Sequence, residues 1–466
     1  MGSCSSPHLF ILLLFVFFLF CDCSQKAFDS YAERFHVTNV QSLRPSTACS
    51  ASKGVKQRGL TVSHRYGPCS PLGRKKVSTR QILLQDQARV KSLQSRYSNA
   101  SRAFLDEKTT LPANLGVAVG ILNYVVTVQL GSLKKEMTVA FDTGSDLTWV
   151  QCQPCAGGTG CYKQRDPYFN PTESTSYASI ACNSLECSKL PSSTGRPASC
   201  SSSQCYYSTS YGDGSETEGF YAEDTLTISS DSIQRFRFGC GQKNKGLFGE
   251  AAGLLGLGRE DLSLVSQTAQ KFGKVFSYCL PSSSSDSGFL TFGPGTSSEA
   301  KFTPLLTNSD APSFYFVNMM GILVGGKELS IPASTFSSPG TILDSGTLIS
   351  RLPPAAYSEL RTTFRSQLSN YTLVQPYQIF DTCYDFSQYE TVDIPTIALR
   401  FSDGVDIDVS ITGILYYVKA SQICLAFAPN SDQEDLAIIG NRQQRTYEVV
   451  HDVASGRIGF AAGKCS

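Results

Sequence analysis

From Asn123 onward the chain is dominated by short runs in which every second residue is apolar: NYVVTVQL (123–130), EMTVAFD (136–142), TLTIS (225–229), RFRFGC (235–240) and GRIGFA (456–461). Successive side chains of a strand point to opposite faces, so a period of two predicts β-strands with one face on a core. Gly, Ser, Asn and Pro punctuate the runs and supply the turns. Helical spacing is the exception. It occurs at 82–96 (ILLQDQARVKSLQSR), at about 261–272 (DLSLVSQTAQKF, closed by Gly273) and at about 354–368, where Pro opens the stretch and Tyr357, Leu360, Phe364 and Leu368 share a face that should pack on a sheet. The expected class is all-β with a few short helices.

The first residues break the pattern. LFILLLFVFFLF, from Leu9 to Phe20, is an unbroken apolar run of 12 residues followed by the polar, small stretch CDCSQ. A membrane span needs about 20 apolar residues, so the run predicts a signal peptide over 1–24. The absence of Lys and Arg ahead of it keeps an organelle-targeting peptide as the alternative. No later apolar run is long enough to cross a bilayer, and the C-terminal GRIGFAAGKCS resembles neither a retention tail nor a lipid-anchor signal.

Charge divides the chain in a way the total of +1 conceals. Residues 25–110 hold 16 Lys/Arg against 5 Asp/Glu, a net +11, whereas 111–466 hold 24 against 33, a net −9. With 466 residues the chain is too long for one ordinary domain. The expected division is a signal peptide (1–24), a basic propeptide (25–110), an N-terminal lobe with a Cys-rich insertion (111–300) and a C-terminal lobe (301–466).

Of 17 cysteines, twelve lie after residue 110 and seven of those between Cys152 and Cys205. An even count in an exported chain predicts disulfides. A zinc reading of Cys152 and Cys155 lacks a second half with histidines, since His451 is the only histidine after residue 65. His451 sits in the strand-like run TYEVVHDV, which weakens any Ser/His/Asp or Cys/His hydrolase. Neither a metal nor a cofactor is expected.

The most informative feature is an internal repeat. TVAFDTGSDLTWV (138–150) is answered by GTILDSGTLISRL (340–352): apolar residues, Asp, a hydroxyl residue, Gly, a hydroxyl residue, then a strand-like continuation. AGLLGLG (252–258) is matched by LAIIGNR (436–442), two apolar residues and then Gly. Two similar lobes with Asp142 and Asp344 facing across a cleft follow from this order. Paired carboxylates cannot both ionise cheaply, so one holds a proton while the other takes one from water, the requirement for amide hydrolysis without a covalent intermediate. Gly144 and Gly346 permit a tight turn beside the partner carboxylate, and Ser145 and Thr347 can donate to it. One Asp-Thr-Gly alone reads as a turn; the duplication in matched context is what favours a dyad. DGSETE carries Glu218 at the sixth position, where a calcium loop needs glycine, and GLLGLG lacks the order of a nucleotide loop.

FDTGSDLTWV, LDSGT, YGDGSETEGF and the two apolar-apolar-Gly segments together resemble the pepsin-type aspartic proteases, and the Cys-rich insertion after Trp149 is similar to their plant nepenthesin-like branch. The resemblance covers 120–466 and implies a bilobal fold with the active-site cleft between lobes. It implies Asp142 and Asp344 as the dyad, Tyr211 as the flap tyrosine, Trp149 as its hydrogen-bond partner, and Gly256 and Gly440 as braces of the two Asp turns. It also implies the pairs Cys152–Cys155, Cys161–Cys240, Cys182–Cys205, Cys187–Cys200, Cys279–Cys465 and Cys383–Cys424, a connectivity that spacing alone leaves open. The second motif departs from the usual pattern in carrying Ser345, which still supplies a hydroxyl.

The function expected is therefore a secreted aspartic endopeptidase acting on peptides and proteins, made as a zymogen and active in acid. Its destination is the secretory pathway, ending in the apoplast or vacuole, with the chloroplast as the alternative. The +11 leader reads first as a propeptide lying on the −9 body, then as a plain solvated segment, and last as a nucleic-acid arm. A non-catalytic binding or inhibitor protein on the same fold is the rival class, disfavoured by intact Asp motifs and Tyr211. Asn99 and Asn370 lie in glycosylation sequons. A monomer is expected.

Overall fold

The computed structural model describes residues 34–50, 59–73, 77–103, 123–211, 214–295 and 299–463, without the side chains of 99–103. The expected signal peptide, the propeptide boundary, Cys465 and the side chain of Asn99 lie outside the described residues. Asn370 is exposed.

The alternating runs form strands as their period requires. In the first half, β3 (Tyr124–Leu130) and β4 (Lys135–Asp142) pair antiparallel, and β5 (Trp149–Gln151) runs parallel to Gly239–Gly241. A long hairpin, Glu216–Ile228 with Asp231–Lys245, closes that sheet. The second half repeats the arrangement around Thr341–Asp344, Ser350–Leu352 and Ala437–Gly440. Six strands in the order 60–64, 287–292, 275–279, 447–452, 457–462 and 301–306 join antiparallel into a sheet spanning the two halves. The architecture is mostly β and bilobal.

The helix over Pro354–Gln367 buries Tyr357, Leu360 and Phe364, as its spacing predicts. The stretch expected as one helix at 261–272 is two, Leu264–Gln267 and Ala269–Phe272. They break at Thr268, whose hydroxyl donates back to the Leu264 carbonyl, the local competition with helix bonding that Ser and Thr bring.

The N-terminal segment belongs to the same fold. β1 (Phe35–Asn39) pairs antiparallel with Thr391–Pro395, and β2 (Leu60–His64) sits at the edge of the six-stranded sheet, touching β3 through Ser63 and His64. Cys49 and Cys69 are disulfide-bonded within this segment. α1 (Thr79–Ala103) then lies across the second half. Leu83 packs with Leu348, Ile349 and Phe380, and Val90 and Leu93 pack with Phe314, Ile342 and Ile438. The same helix face carries Asp86 and Arg89, both fully buried, which hydrophobic periodicity alone does not anticipate.

Four implied cysteine pairs are corrected. The parallel register of β5 with 239–241 sets Val150 opposite Cys240, so Cys152 bonds Cys240 rather than Cys155. A tight turn at 156–158 brings Cys155 to Cys161 instead. Cys200 and Cys205 face each other across a hairpin, and Cys182, whose N–H donates to the Ser203 carbonyl, takes Cys200. Cys187 then bonds Cys205. Cys383 and Cys424, opposite one another in a strand pair, are bonded.

Candidate active site

Each Asp turn is built by one strand ending against one glycine. β4 runs parallel to Gly253–Gly256 with Gly256 opposite Asp142, and Thr341–Asp344 runs parallel to Ala437–Gly440 with Gly440 opposite Asp344. A Cβ at Gly256 would lie 2.2 Å from the Asp146 carbonyl oxygen, so only glycine lets the strand brace the turn this closely. The Thr148 and Ser350 hydroxyls accept hydrogen bonds from the N–H groups of Gly256 and Gly440.

The two turns meet. The Thr143 N–H donates to the Ser345 hydroxyl at 3.2 Å, and the Ser345 N–H donates to the Thr143 hydroxyl at 2.9 Å. Thr143 and Ser345 thus tie the halves together directly beneath the carboxylates. In the sequence Thr143 and Ser345 are legible only as the hydroxyl position of the motif; their reciprocal bond depends on the approach of residues 202 positions apart.

Both aspartates are buried. Asp142 accepts from the Gly144 N–H at 3.0 Å and the Ser145 hydroxyl at 2.7 Å; Asp344 accepts from the Gly346 N–H at 3.3 Å and the Thr347 hydroxyl. The expected supports therefore all contact their carboxylates. Trp149 Nε1 donates to the Tyr211 hydroxyl at 2.7 Å, and Phe248 packs edge-on against both rings. Burial pushes the Tyr211 phenol well above its ordinary value, so it stays protonated.

A residue from α1 completes the site. Arg89 donates Nη2 to Asp142 Oδ1 and to Asp344 Oδ1, each at 2.6 Å, and Nε to Asp344 Oδ2 at 2.8 Å. A Cβ at Gly346 would sit 2.3 Å from the guanidinium carbon, so the motif glycines are what admit a planar group between the carboxylates. Burial by itself would raise the Asp344 pKa; the Arg89 charge and hydrogen bonds, helped by Thr347 and the Gly346 N–H, outweigh it and hold the carboxyl below its usual range. Arg89 is held charged by the two aspartates against the opposing effect of burial. Two more contacts fix the helix. Arg96 donates to the Gly144 carbonyl at 2.8 Å, and the Gln94 amide exchanges two hydrogen bonds with the Leu436 backbone at 2.7 and 2.8 Å. In the sequence Arg89 is one of the 16 basic residues of the leader, and its one distinguishing signal is its place beside the apolar positions of the 82–96 helix.

On the second-half wall, Asp86 accepts from the Leu348 N–H at 2.6 Å and from Arg351 Nη2 at 2.9 Å. Burial raises the Asp86 pKa and the Arg351 charge only partly offsets this. His451 stacks on Phe276 with ring centroids 4.4 Å apart and packs with Tyr278 and Tyr315, a place in an aromatic cluster and not beside a nucleophile. Among the described residues there is no cluster of His, Cys, Asp or Glu able to hold a metal and no helix long and apolar enough to cross a membrane.

Known proteins sharpen the family. Residues 124–294 match the model described as xylanase inhibitor N-terminal, and 314–462 the one described as xylanase inhibitor C-terminal. The chain is 46% identical over 470 residues to an aspartyl protease family protein of Arabidopsis thaliana, covering 97% of this chain and 99% of that one. It is 44% identical to the Arabidopsis thaliana aspartyl protease AED1, covering 95% and 94%. Against nepenthesin-2 of Nepenthes gracilis the identity is 36%, covering 75% and 79%. Similarity of fold alone extends to the crystal structures of edgp, with TM-score 0.58, 20% identity and coverage of 74% and 93%, and of lupine conglutin gamma, with TM-score 0.57, 20% identity and coverage of 73% and 91%. With paired Asp turns tied through Thr143 and Ser345 and relatives of this likeness along nearly its whole length, the chain belongs to the plant branch of the pepsin-like aspartyl protease family.

Proposed function

We propose that the protein is an exported aspartic endopeptidase made as a zymogen, in which α1 occludes the dyad. The observation that carries this reading is Arg89 at 2.6 Å from both carboxylates. A water cannot occupy that point while the guanidinium does, so hydrolysis requires α1 to leave. Afterwards one of Asp142 and Asp344 holds a proton and polarises the substrate carbonyl, and the other takes a proton from the attacking water. Tyr211, fixed by Trp149, covers the bound peptide, and Thr143 with Ser345 holds the carboxyl groups at constant separation. Six disulfides among the described residues support an oxidising compartment, outside the cell or in a vacuole.

The test is hydrolysis of a denatured protein between pH 2.5 and 7 by the wild type and Asp142→Asn. Acid activity that appears with loss of residues 34–103, and is absent from the variant, is expected. Equal turnover by the variant would sink the dyad, and full activity of the intact chain would sink the zymogen. The names of the matched family models favour one other reading, a binding protein for a glycan-degrading enzyme; inhibition of a xylanase by a wild type without proteolytic activity would establish it.

A further inference from the structure

Arg351 lies in the strand Ser350–Leu352 of the body, and its guanidinium is buried. One nitrogen, Nη1, donates to the Ile349 carbonyl at 2.7 Å. Nη2 is directed at α1, to Asp86 Oδ2 at 2.9 Å and to Gln87 Oε1 at 3.3 Å. The other oxygen of Asp86 accepts the Leu348 N–H at 2.6 Å. Arg351 and the Leu348 N–H therefore grip one carboxylate from two directions, and among the described residues Asp86 is the one carboxylate paired with Arg351. Both donors belong to the body, whereas the acid belongs to the helix that must leave.

When the helix leaves, Arg351 Nη2 and the Leu348 N–H lose the acceptor they share. Once α1 departs, these donors face the cleft and favour whatever returns a carboxylate to them. Asp86 and Arg89 are three residues apart on one helix face, about 4.5 Å along the axis. Arg89 marks the reacting centre. An extended peptide advances about 3.3 Å per residue, which places the gripped side chain within one or two residues of the bond being cut. We infer that Arg351 and the Leu348 N–H form a subsite for an acidic side chain, so that the enzyme prefers peptides with Asp or Glu at one fixed position beside the scissile bond. This inference rests on the protease reading above. It assigns Arg351 to specificity and not to bond cleavage.

The test uses the processed enzyme near pH 5, where free Asp and Glu are mostly ionised. Peptide pairs differ only by Asp against Asn, or Glu against Gln, at each of three positions on either side of the cleaved bond. One position is expected to show kcat/KM about 10-fold higher for the acid, the scale of a charge-assisted hydrogen bond. In Arg351→Met the acid-to-amide ratio falls to about 1, and Arg351→Glu prefers Lys there. Arg351→Lys, which keeps the charge without the planar fork, retains part of the preference and carries the test if the other variants do not fold. Equal cleavage of acid and amide at every position by the wild type, or an unchanged ratio in Arg351→Met or Arg351→Lys, overturns the subsite. Failure of the wild type to cut any peptide, acidic or neutral, sinks the protease reading and the subsite with it.

Discussion

Arg351 stands to Asp344 as Trp149 stands to Asp142: each follows its aspartate by seven residues, and each aims a nitrogen away from its own turn. Trp149 donates to Tyr211 of the same half, whereas Arg351 donates to Asp86 of the N-terminal helix. The same position of the repeat thus turns inward in one half and presents a cation in the other; α1 meets that cation through Asp86, while Arg89 meets both aspartates alike.

Removing Arg89 should unlock the cleft. Arg89→Met leaves Asp142 and Asp344 without their cation, and losing one partner of a buried pair costs on the order of 3–5 kcal/mol. The intact variant is expected to process itself at a higher pH than the wild type and to bind a statine-type inhibitor near pH 6. Identical processing curves would show that the helix is held by its remaining contacts and not by Arg89.

Acid sensitivity should depend on His64 of β2. Burial, and then the charges of Arg445, Arg442 and Arg65, lower its pKa to about 3, and its Nδ1 accepts the Tyr66 N–H at 3.2 Å. Tyr124 packs edge-on from β3. A released histidine returns to about 6.5, so docking is fully supported above that value and loses support as the pH falls toward 3. Asp344, held low by Arg89, acts in the same sense, whereas Asp86, raised by burial, opposes it. His64→Gln should therefore need about one pH unit more acid to reach the wild-type processing rate. Hydrogen exchange of residues 59–73 against pH gives the same comparison without relying on catalysis.

The Thr143–Ser345 tie should matter for rate more than for binding. Thr143→Val removes the hydroxyl that accepts the Ser345 N–H, at a cost of about 1–3 kcal/mol for the donor left unpaired. A kcat reduced about 10-fold or more, with KM little changed, is expected. A change confined to KM would mean the tie does not set the carboxylate geometry.

His451 should make the fold less stable in acid. Burial lowers its pKa to about 3, outweighing a hydrogen bond to the Val449 backbone that acts the other way. Its neutral form is tolerated above about 6.5, and stability is lost as the pH falls toward 3. His451→Phe, which can keep the stack on Phe276, should gain on the order of 2–3 kcal/mol relative to the wild type at pH 4 and little at pH 7. Urea unfolding at both pH values measures the difference.

The disulfides should differ in weight. Cys152–Cys240 spans 88 residues and Cys155–Cys161 only 6, for which chain entropy gives about 4.6 and about 2.2 kcal/mol. Replacing both members of the longer bridge by Ala should lower the midpoint of urea unfolding more than replacing both members of the shorter. Non-reducing peptide maps verify the pairing itself.

Much of the fold was legible because its signals are local. Alternation in NYVVTVQL and EMTVAFD specifies strands with one buried face, and matched D-[ST]-G-[ST] and apolar-apolar-Gly segments specify two equivalent turns. Ser145, Thr347, Gly144 and Gly346 could be placed beside their aspartates because each lies within three residues of one.

What tertiary structure alone decided depends on contacts between distant residues. Which cysteine meets Cys152 follows from the parallel register of β5 with 239–241, and that register is not written in cysteine spacing. The reciprocal bond of Thr143 and Ser345 appears only when the two halves are brought together. Arg89 and Asp86 read in the sequence as polar residues of an amphipathic helix, because a buried charge is recognisable only once its partner is known; Asp142, Asp344 and Arg351 lie between 53 and 265 residues away. The sequence by itself determined that two carboxylates would share a cleft, and the tertiary structure decided what occupies it.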